Sequence, residues 1–112
     1  MIVQRYLASP LLLNGYKFDL RIYVVITGIT DGKMHGFIHD EGMARFCTVK
    51  YQKPDRNNYK KAYMHLTNYS LNKSSDKWVD EADVKNILEP NQCSKRTLTA
   101  LWKEIGDEEK VE

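Results

Sequence analysis

Lys17, Asp19 and Arg21 stand at alternate positions of the segment K-F-D-L-R-I-Y-V-V-I-T, residues 17–27. On a β-strand, side chains two residues apart point the same way, about 6.6–7 Å from one to the next. The three form a plus–minus–plus row. Such a row offers cations for phosphate oxygens and a carboxylate for hydroxyls. Phe18, Leu20, Ile22, Val24 and Ile26 take the other face and predict a core surface behind it. The same pattern is also compatible with a solvated sheet face carrying one cross-strand ion pair.

Arg45 is a second candidate, the lone cation on a strand between Ala44 and Phe46. A guanidinium among apolar neighbours pairs with a carboxylate, either within the protein or on a ligand. Thr67, Asn68, Tyr69 and Ser70 crowd four hydrogen-bonding side chains into one loop, a composition that also organises turns. Lys95 and Arg96 just precede the last helical pattern, where the helix dipole disfavours cations; an anionic partner is one reason for them. His35, His39 and His65 lack metal-ligand spacing and read as surface or partly packed residues. No Ser, Cys or Thr has a nucleophile context, and neither a Walker A loop nor G-x-G-x-x-G is present. Lysines on strands remain a way to hold phosphate.

These residues need a sheet to position them. Ile2–Leu7 reads as a short strand, followed by Pro10 and the patch Leu11–Leu13. Asn14-Gly15 predicts a tight turn into the long strand 17–27, and Asp31-Gly32 predicts a second, returning through Met34–Ile38. Glu41-Gly42 turns the chain into Met43–Val49, completing an antiparallel meander. Residues 55–61 form a polar loop. Asp80 caps a short helix containing Val84, Ile87 and Leu88, which Pro90 stops. Leu98, Leu101, Trp102 and Ile105 predict an amphipathic helix ending near Gly106.

With 112 residues, 42% hydrophobic and 29% charged, the chain is at most one soluble domain. Net charge is only +2, but its distribution is uneven. Arg45 to Lys73 holds seven basic residues against Asp55 alone, whereas Asp76 onward holds ten acidic and six basic. A basic middle suits an acidic partner. Cys47 and Cys93 are far apart, outside any metal spacing, and read as free thiols in a reducing compartment. No apolar run approaches a membrane span, and the N-terminus does not read as a signal peptide.

Four motifs in order, V-Q-R-Y-L-A-S-P-L-L-L, K-F-D-L-R-I-Y-V, E-G-M-A-R-F-C-T and H-L-T-N-Y-S-L-N-K, resemble the tubulin tyrosine ligase-like family over residues 2–96. The third and fourth are most similar to the glutamate-adding, polyglutamylase branch. The resemblance implies an α+β chain, part of an ATP-grasp domain. Its activity would be to activate a carboxylate with ATP as an acyl phosphate, which the amine of free L-glutamate attacks. By motif, Gln4, Arg5, Tyr6 and Leu7 resemble the adenine hinge, and Lys17, Asp19, Thr67 and Asn68 the other ATP contacts. Arg45, Tyr69, Ser70 and Lys95, with Lys73 a further candidate, resemble the pocket for the incoming glutamate. Arg21 takes the place of a cation near the phosphates or the acceptor and is the candidate catalytic residue.

The implied partners are tubulin or microtubules, with the stretch from Lys50 to Lys61 facing acidic tubulin tails. No membrane and no nucleic acid is expected. The implied location is cytoplasmic and cytoskeletal, with the cilium or basal body as a specific site. The family's Mg2+ ligands, an aspartate and a Glu-x-Asn on a later strand, have no counterpart before Glu112, so the ion is expected to be held outside this chain. Residues 1–106 are therefore expected to be a partial ligase domain, and 107–112 a frayed acidic tail. Two rivals stand beside this. One is a non-catalytic fragment binding microtubules or nucleotide through its basic loop. The other is a β-rich nucleic-acid binder using Arg45 to Lys73 with Tyr51, Tyr59, Tyr63 and Tyr69.

Overall fold

The computed structural model describes residues 1–79 and 93–108. Its elements run β1 (Leu12–Leu13), β2 (Tyr16–Arg21), β3 (Val24–Thr30), β4 (Lys33–Ile38), β5 (Met43–Phe46), α1 (Ala62–His65), α2 (Tyr69–Asn72), β6 (Lys95–Thr97) and α3 (Leu98–Glu108). One sheet has the order β1-β2-β5-β6, and β3 pairs with β4 in a separate hairpin. Every pairing is antiparallel. The chain is α+β, with antiparallel sheets followed by a C-terminal helix.

Both turns read from Asn-Gly and Asp-Gly form. Asn14 and Gly15 have φ of 52° and 81°, and Asp31 and Gly32 have 52° and 72°. Positive φ at two central residues matches the right-handed twist of the flanking strands and favours these residue types. Gly42 is required for a different reason. A Cβ there would lie 2.4 Å from the Arg21 carbonyl oxygen and 3.0 Å from Leu98 Cδ1.

The core lies between the four-stranded sheet and α3. Phe18 opposes Phe46 and Leu20 opposes Ala44 across the β2–β5 ladder. Leu13, Ala44, Phe46, Leu98 and Leu101 form a buried cluster, with Tyr16, Phe18 and Ile105 packed against it. Phe18 and Phe46 stack with ring centroids 5.2 Å apart. Beneath this layer Arg96 and Glu104 form a buried ion pair. The Arg96 guanidinium lies 4.1 Å from the Phe46 ring centroid, and Glu104 Oε1 accepts from Asn14 Nδ2 at 3.0 Å. The anionic partner expected for Arg96 is thus a carboxylate of the helix that follows its strand.

Several expectations are corrected. Ile2–Leu7 forms no strand, and all six residues are exposed. Its apolar residues find no ladder to join. The strand 17–27 is interrupted at Ile22–Tyr23, because β5 ends its pairing with β2 at Met43 opposite Arg21, and β3 pairs with β4 instead. The core surface assigned to that strand is therefore confined to its start: Leu20 is 39% exposed and Ile26 58%. On the last helix Trp102 is 52% exposed, since Leu98, Leu101 and the Glu104 ion pair take the inner face. The helix continues two residues past Gly106. Strand β5 stops at Phe46, short of Val49. Two short helices and β6 arise where no period was legible. The helix expected from Asp80 to Pro90 lies outside the described residues, as does the end of the acidic tail.

Candidate functional site

Alternation places the charged residues on the sheet face opposite α3. Across the ladders, Asp19 opposes Arg45 and Arg45 opposes Lys95; on the next rung Arg21 opposes Met43 and Met43 opposes Thr97. Directly cross-strand residues share a face. Asp19, Arg45 and Lys95 therefore make one row across three strands, with Lys17 and Arg21 flanking it on β2. Cys47, whose backbone N–H donates to the Lys17 carbonyl at 2.9 Å, borders the row on the other side.

Asp19 and Arg45 bind each other. Arg45 Nε donates to Asp19 Oδ1 at 2.9 Å, and a terminal guanidinium nitrogen donates to Oδ2. This fork raises the Arg45 pKa, the Asp19 hydrogen bond being the main cause. The cross-strand ion pair is present, and further cations, Lys17, Arg21 and Lys95, share its face. Beside it, Lys73 Nζ and Lys95 Nζ lie 5.6 and 5.7 Å from the Tyr69 ring centroid, and Tyr69 packs edge-on against Trp78. Among the described residues neither lysine has a carboxylate within ion-pair distance.

Lys17 is held at the other end. Its Nζ donates to the His65 carbonyl at 2.8 Å and to Tyr6 Oη at 3.2 Å, and lies 4.5 Å from the Tyr6 ring centroid. Of the four residues 4–7, Tyr6 is the one that meets Lys17. Gln4, Arg5 and Leu7 are exposed and form no hydrogen bond or ion pair among the described residues. Arg21 is exposed without an ion-pair partner there. Thr67 is half-buried. Asn68 uses its backbone carbonyl to accept from the Asn72 amide at 3.0 Å and leaves its side chain exposed. Ser70 is exposed on the first turn of α2.

Three supporting residues escaped sequence reasoning. Asn72 is fully buried: its Oδ1 accepts from Thr48 N and Oγ1, and its Nδ2 donates to the Leu66 and Asn68 carbonyls. It ties the 67–70 loop to the end of β5. Glu41 reaches across to α3, with Oε1 accepting from Leu98 N at 2.8 Å and Oε2 from Thr99 Oγ1 at 2.7 Å. These bonds, Thr99 first and then the Gly42 amide, lower the Glu41 pKa. His65 is 6% exposed, far deeper than a surface histidine. Only the positions of these three inside the quoted motifs hinted at a role.

Burial pushes the Cys47 thiol up to about 11, so it stays protonated near neutrality. A cavity of about 600 Å³ opens past the end of β5, lined by Cys47, Thr48, Lys77, Val79 and Cys93 among others. None of the candidate nucleotide or glutamate residues lines it, so the charged face rather than this cavity is the candidate site. Among the described residues no three His, Cys, Asp or Glu side chains come together to hold a metal ion. No helix among them is long and apolar enough to cross a membrane.

The fold is α+β with a cationic, aromatic-edged sheet face; comparison with known proteins gives its family. The profile of the Tubulin-tyrosine ligase family matches residues 1–111, and the chain belongs to that family. It is 44% identical over 105 residues to the tubulin polyglutamylase ttll-11 of Caenorhabditis elegans, covering 93% of this chain and 14% of that protein. It is 40% identical over 107 residues to the tubulin polyglutamylase ttll6 of Danio rerio, covering 96% and 12%. With the tubulin polyglutamylase TTLL13 of Homo sapiens the identity is 42% over 101 residues, covering 90% and 11%. The chain therefore spans only a small part of the length of these relatives.

Proposed function

We propose that this chain supplies part of the substrate-binding face of an ATP-dependent ligase that adds glutamate to tubulin C-terminal tails. The kinship with polyglutamylases supports the reaction class. The observation that carries the assignment to residues is the row Asp19–Arg45–Lys95, flanked by Lys17 and by Lys73 over Tyr69.

In this reading Lys17 binds phosphate, with Tyr6 and its neighbours against the adenine and Thr67 and Asn68 beside the nucleotide. Arg45, Lys95 and Lys73 hold the carboxylates of the incoming glutamate, with Tyr69 and Ser70 walling its pocket. Arg21 faces the reacting end. An acyl phosphate and a glutamate amine can approach only where negative charge is neutralised, which these cations do without reorganising. Among the described residues no three His, Cys, Asp or Glu side chains converge to hold Mg2+, and Asp19, the carboxylate of the row, is engaged by Arg45. The domain is read as a partial ATP-grasp unit working within a longer protein, at the cytoskeleton and cilium.

The loop from Lys50 to Lys61 supports the tail as acceptor. Lys50, Lys53, Arg56, Lys60 and Lys61 are exposed, and Asp55 is occupied in accepting from Asn57 N and Asn58 N at 2.7 and 2.8 Å. The same loop favours a second reading, a non-catalytic segment that binds microtubules. Glutamate incorporation into purified tubulin by the protein as its cell makes it separates the two. ATP-dependent incorporation, weakened in Arg45→Ala at limiting glutamate, supports the ligase; salt-sensitive microtubule binding without incorporation supports the second reading.

A further inference from the structure

We infer that His65 is a positioning residue for the nucleotide side of the site, an inference that rests on the ligase reading above. Its imidazole joins the two candidate nucleotide elements, the Tyr6 segment and β2, to the internally hydrogen-bonded 53–58 loop. His65 Nε2 faces two acceptors, the Asn58 carbonyl at 3.1 Å and Asn58 Oδ1 at 3.3 Å. Asn58 Oδ1 is an acceptor because Nδ2 of the same amide donates to the Lys53 carbonyl and Oδ1 accepts from Asp55 N. Nε2 therefore carries the proton in neutral His65, which leaves Nδ1 as an acceptor. Tyr6 Oη, 3.1 Å away, donates to Nδ1 and accepts in turn from Lys17 Nζ.

The order of donors is thus Lys17 to Tyr6 to His65 to Asn58, and the His65 carbonyl closes the loop by accepting from Lys17. The ring does more than bond. Tyr6 and Tyr51 both meet it edge-on, with centroids 5.8 and 5.7 Å away, and Tyr51 Oη donates to the Ala8 carbonyl. Residues 1–7 are exposed and join no strand; among the described residues, Tyr6 with Lys17 and Tyr51 fasten the segment, and both tyrosines rest on His65. A histidine that merely filled the core would not need to organise a lysine and a hinge segment together.

The test uses the protein as its cell makes it, with His65→Gln, Tyr6→Phe and the double substitution. We expect each single change to raise the KM for ATP about five- to tenfold, the value of one or two buried neutral hydrogen bonds. The KM for glutamate stays within twofold, and the double substitution costs less than the product of the singles. Tryptic cleavage after Arg5 should also accelerate in His65→Gln. If the unsubstituted protein ligates glutamate but both single variants keep its KM for ATP, the inference is overturned while the ligase reading stands. Equal rises in both KM values would likewise overturn it, as a general loss of packing. If the unsubstituted protein shows no ATP-dependent ligation, the ligase reading and this inference fall together.

Discussion

Asp19 on β2 and Arg45 on β5 are joined by a two-bond fork across the ladder, the carboxylate of a candidate nucleotide contact held by the guanidinium of a candidate glutamate contact. Neither group is fully buried: side-chain exposure is 36% for Asp19 and 22% for Arg45. A ligand carboxylate approaching Arg45 meets a guanidinium already oriented by its partner. Asp19→Asn should therefore raise the KM for glutamate as well as that for ATP. Arg45→Ala should raise the KM for glutamate about tenfold or more, the value of a hydrogen bond to a charged group, with a smaller effect on ATP. Steady-state kinetics on both variants checks this; an Asp19→Asn effect confined to ATP would leave the pair without a part in glutamate binding.

The Arg96–Glu104 pair should dominate the stability of the sheet–helix interface. Its side chains are 8% and 5% exposed. Removing Glu104 takes the carboxylate from a buried guanidinium that keeps its bond to the Cys93 carbonyl, so Glu104→Ala should be destabilising, by at most about 3–5 kcal/mol. Arg96→Met combined with Glu104→Leu should recover most of that loss. Urea midpoints of the parent and the two variants measure it, and a Glu104→Ala midpoint equal to the parent's would contradict the buried pairing.

The Glu41-Gly42 turn should fail in acid. The Glu41 carboxylate is stabilised by Thr99, Gly42 and Leu98, so its folded pKa lies below the usual 4.5. A depressed carboxylate contributes stability that is present above the unfolded pKa and lost as pH falls through the folded one. Glu41→Gln should therefore lower the melting temperature at pH 7 and flatten its dependence on pH below about 4.5. Gly42→Ala, which forces a Cβ onto the Arg21 carbonyl, should cost about 1–3 kcal/mol at all pH values. Melting curves from pH 3 to 7 distinguish the two effects.

Cys47 should make the fold sensitive to alkali. Its thiol is raised from 9 to about 11 by burial. A raised acid stays protonated in the folded state while the unfolded chain already ionises, so stability is intact below about 9 and declines as pH rises toward 11. Tyr51, also raised chiefly by burial, contributes in the same direction. Cys47→Ala should reduce the alkaline slope by the share of one proton, and Tyr51→Phe should reduce it further. An unchanged slope in Cys47→Ala would contradict the burial of the thiol.

What could be read from the residues was whatever local chemistry decides. The Asn14-Gly15 and Asp31-Gly32 turns formed because positive φ suits those side chains. The charged row kept one face because a period of two is a property of any strand. What could not be read depended on partners distant in the chain. The face of Ile22, Val24 and Ile26 looks like core by composition, yet among the described residues nothing covers it. Trp102 has the spacing of a core residue, but Glu104 won the inner face through Arg96. Tyr6 looked like part of a strand and instead meets His65, 59 positions away. The family resemblance supplied the candidate roles, which neither spacing nor charge alone could assign.

The central claim is that two ends of one sheet face serve two ligands, nucleotide near Lys17 and glutamate near Lys95. The most direct test measures KM for ATP and for glutamate in Lys17→Ala and Lys95→Ala, in the protein as its cell makes it. The account predicts opposite selectivity: Lys17→Ala raises mainly the ATP value and Lys95→Ala mainly the glutamate value, each by about tenfold. Parallel changes in both parameters for both variants would contradict it.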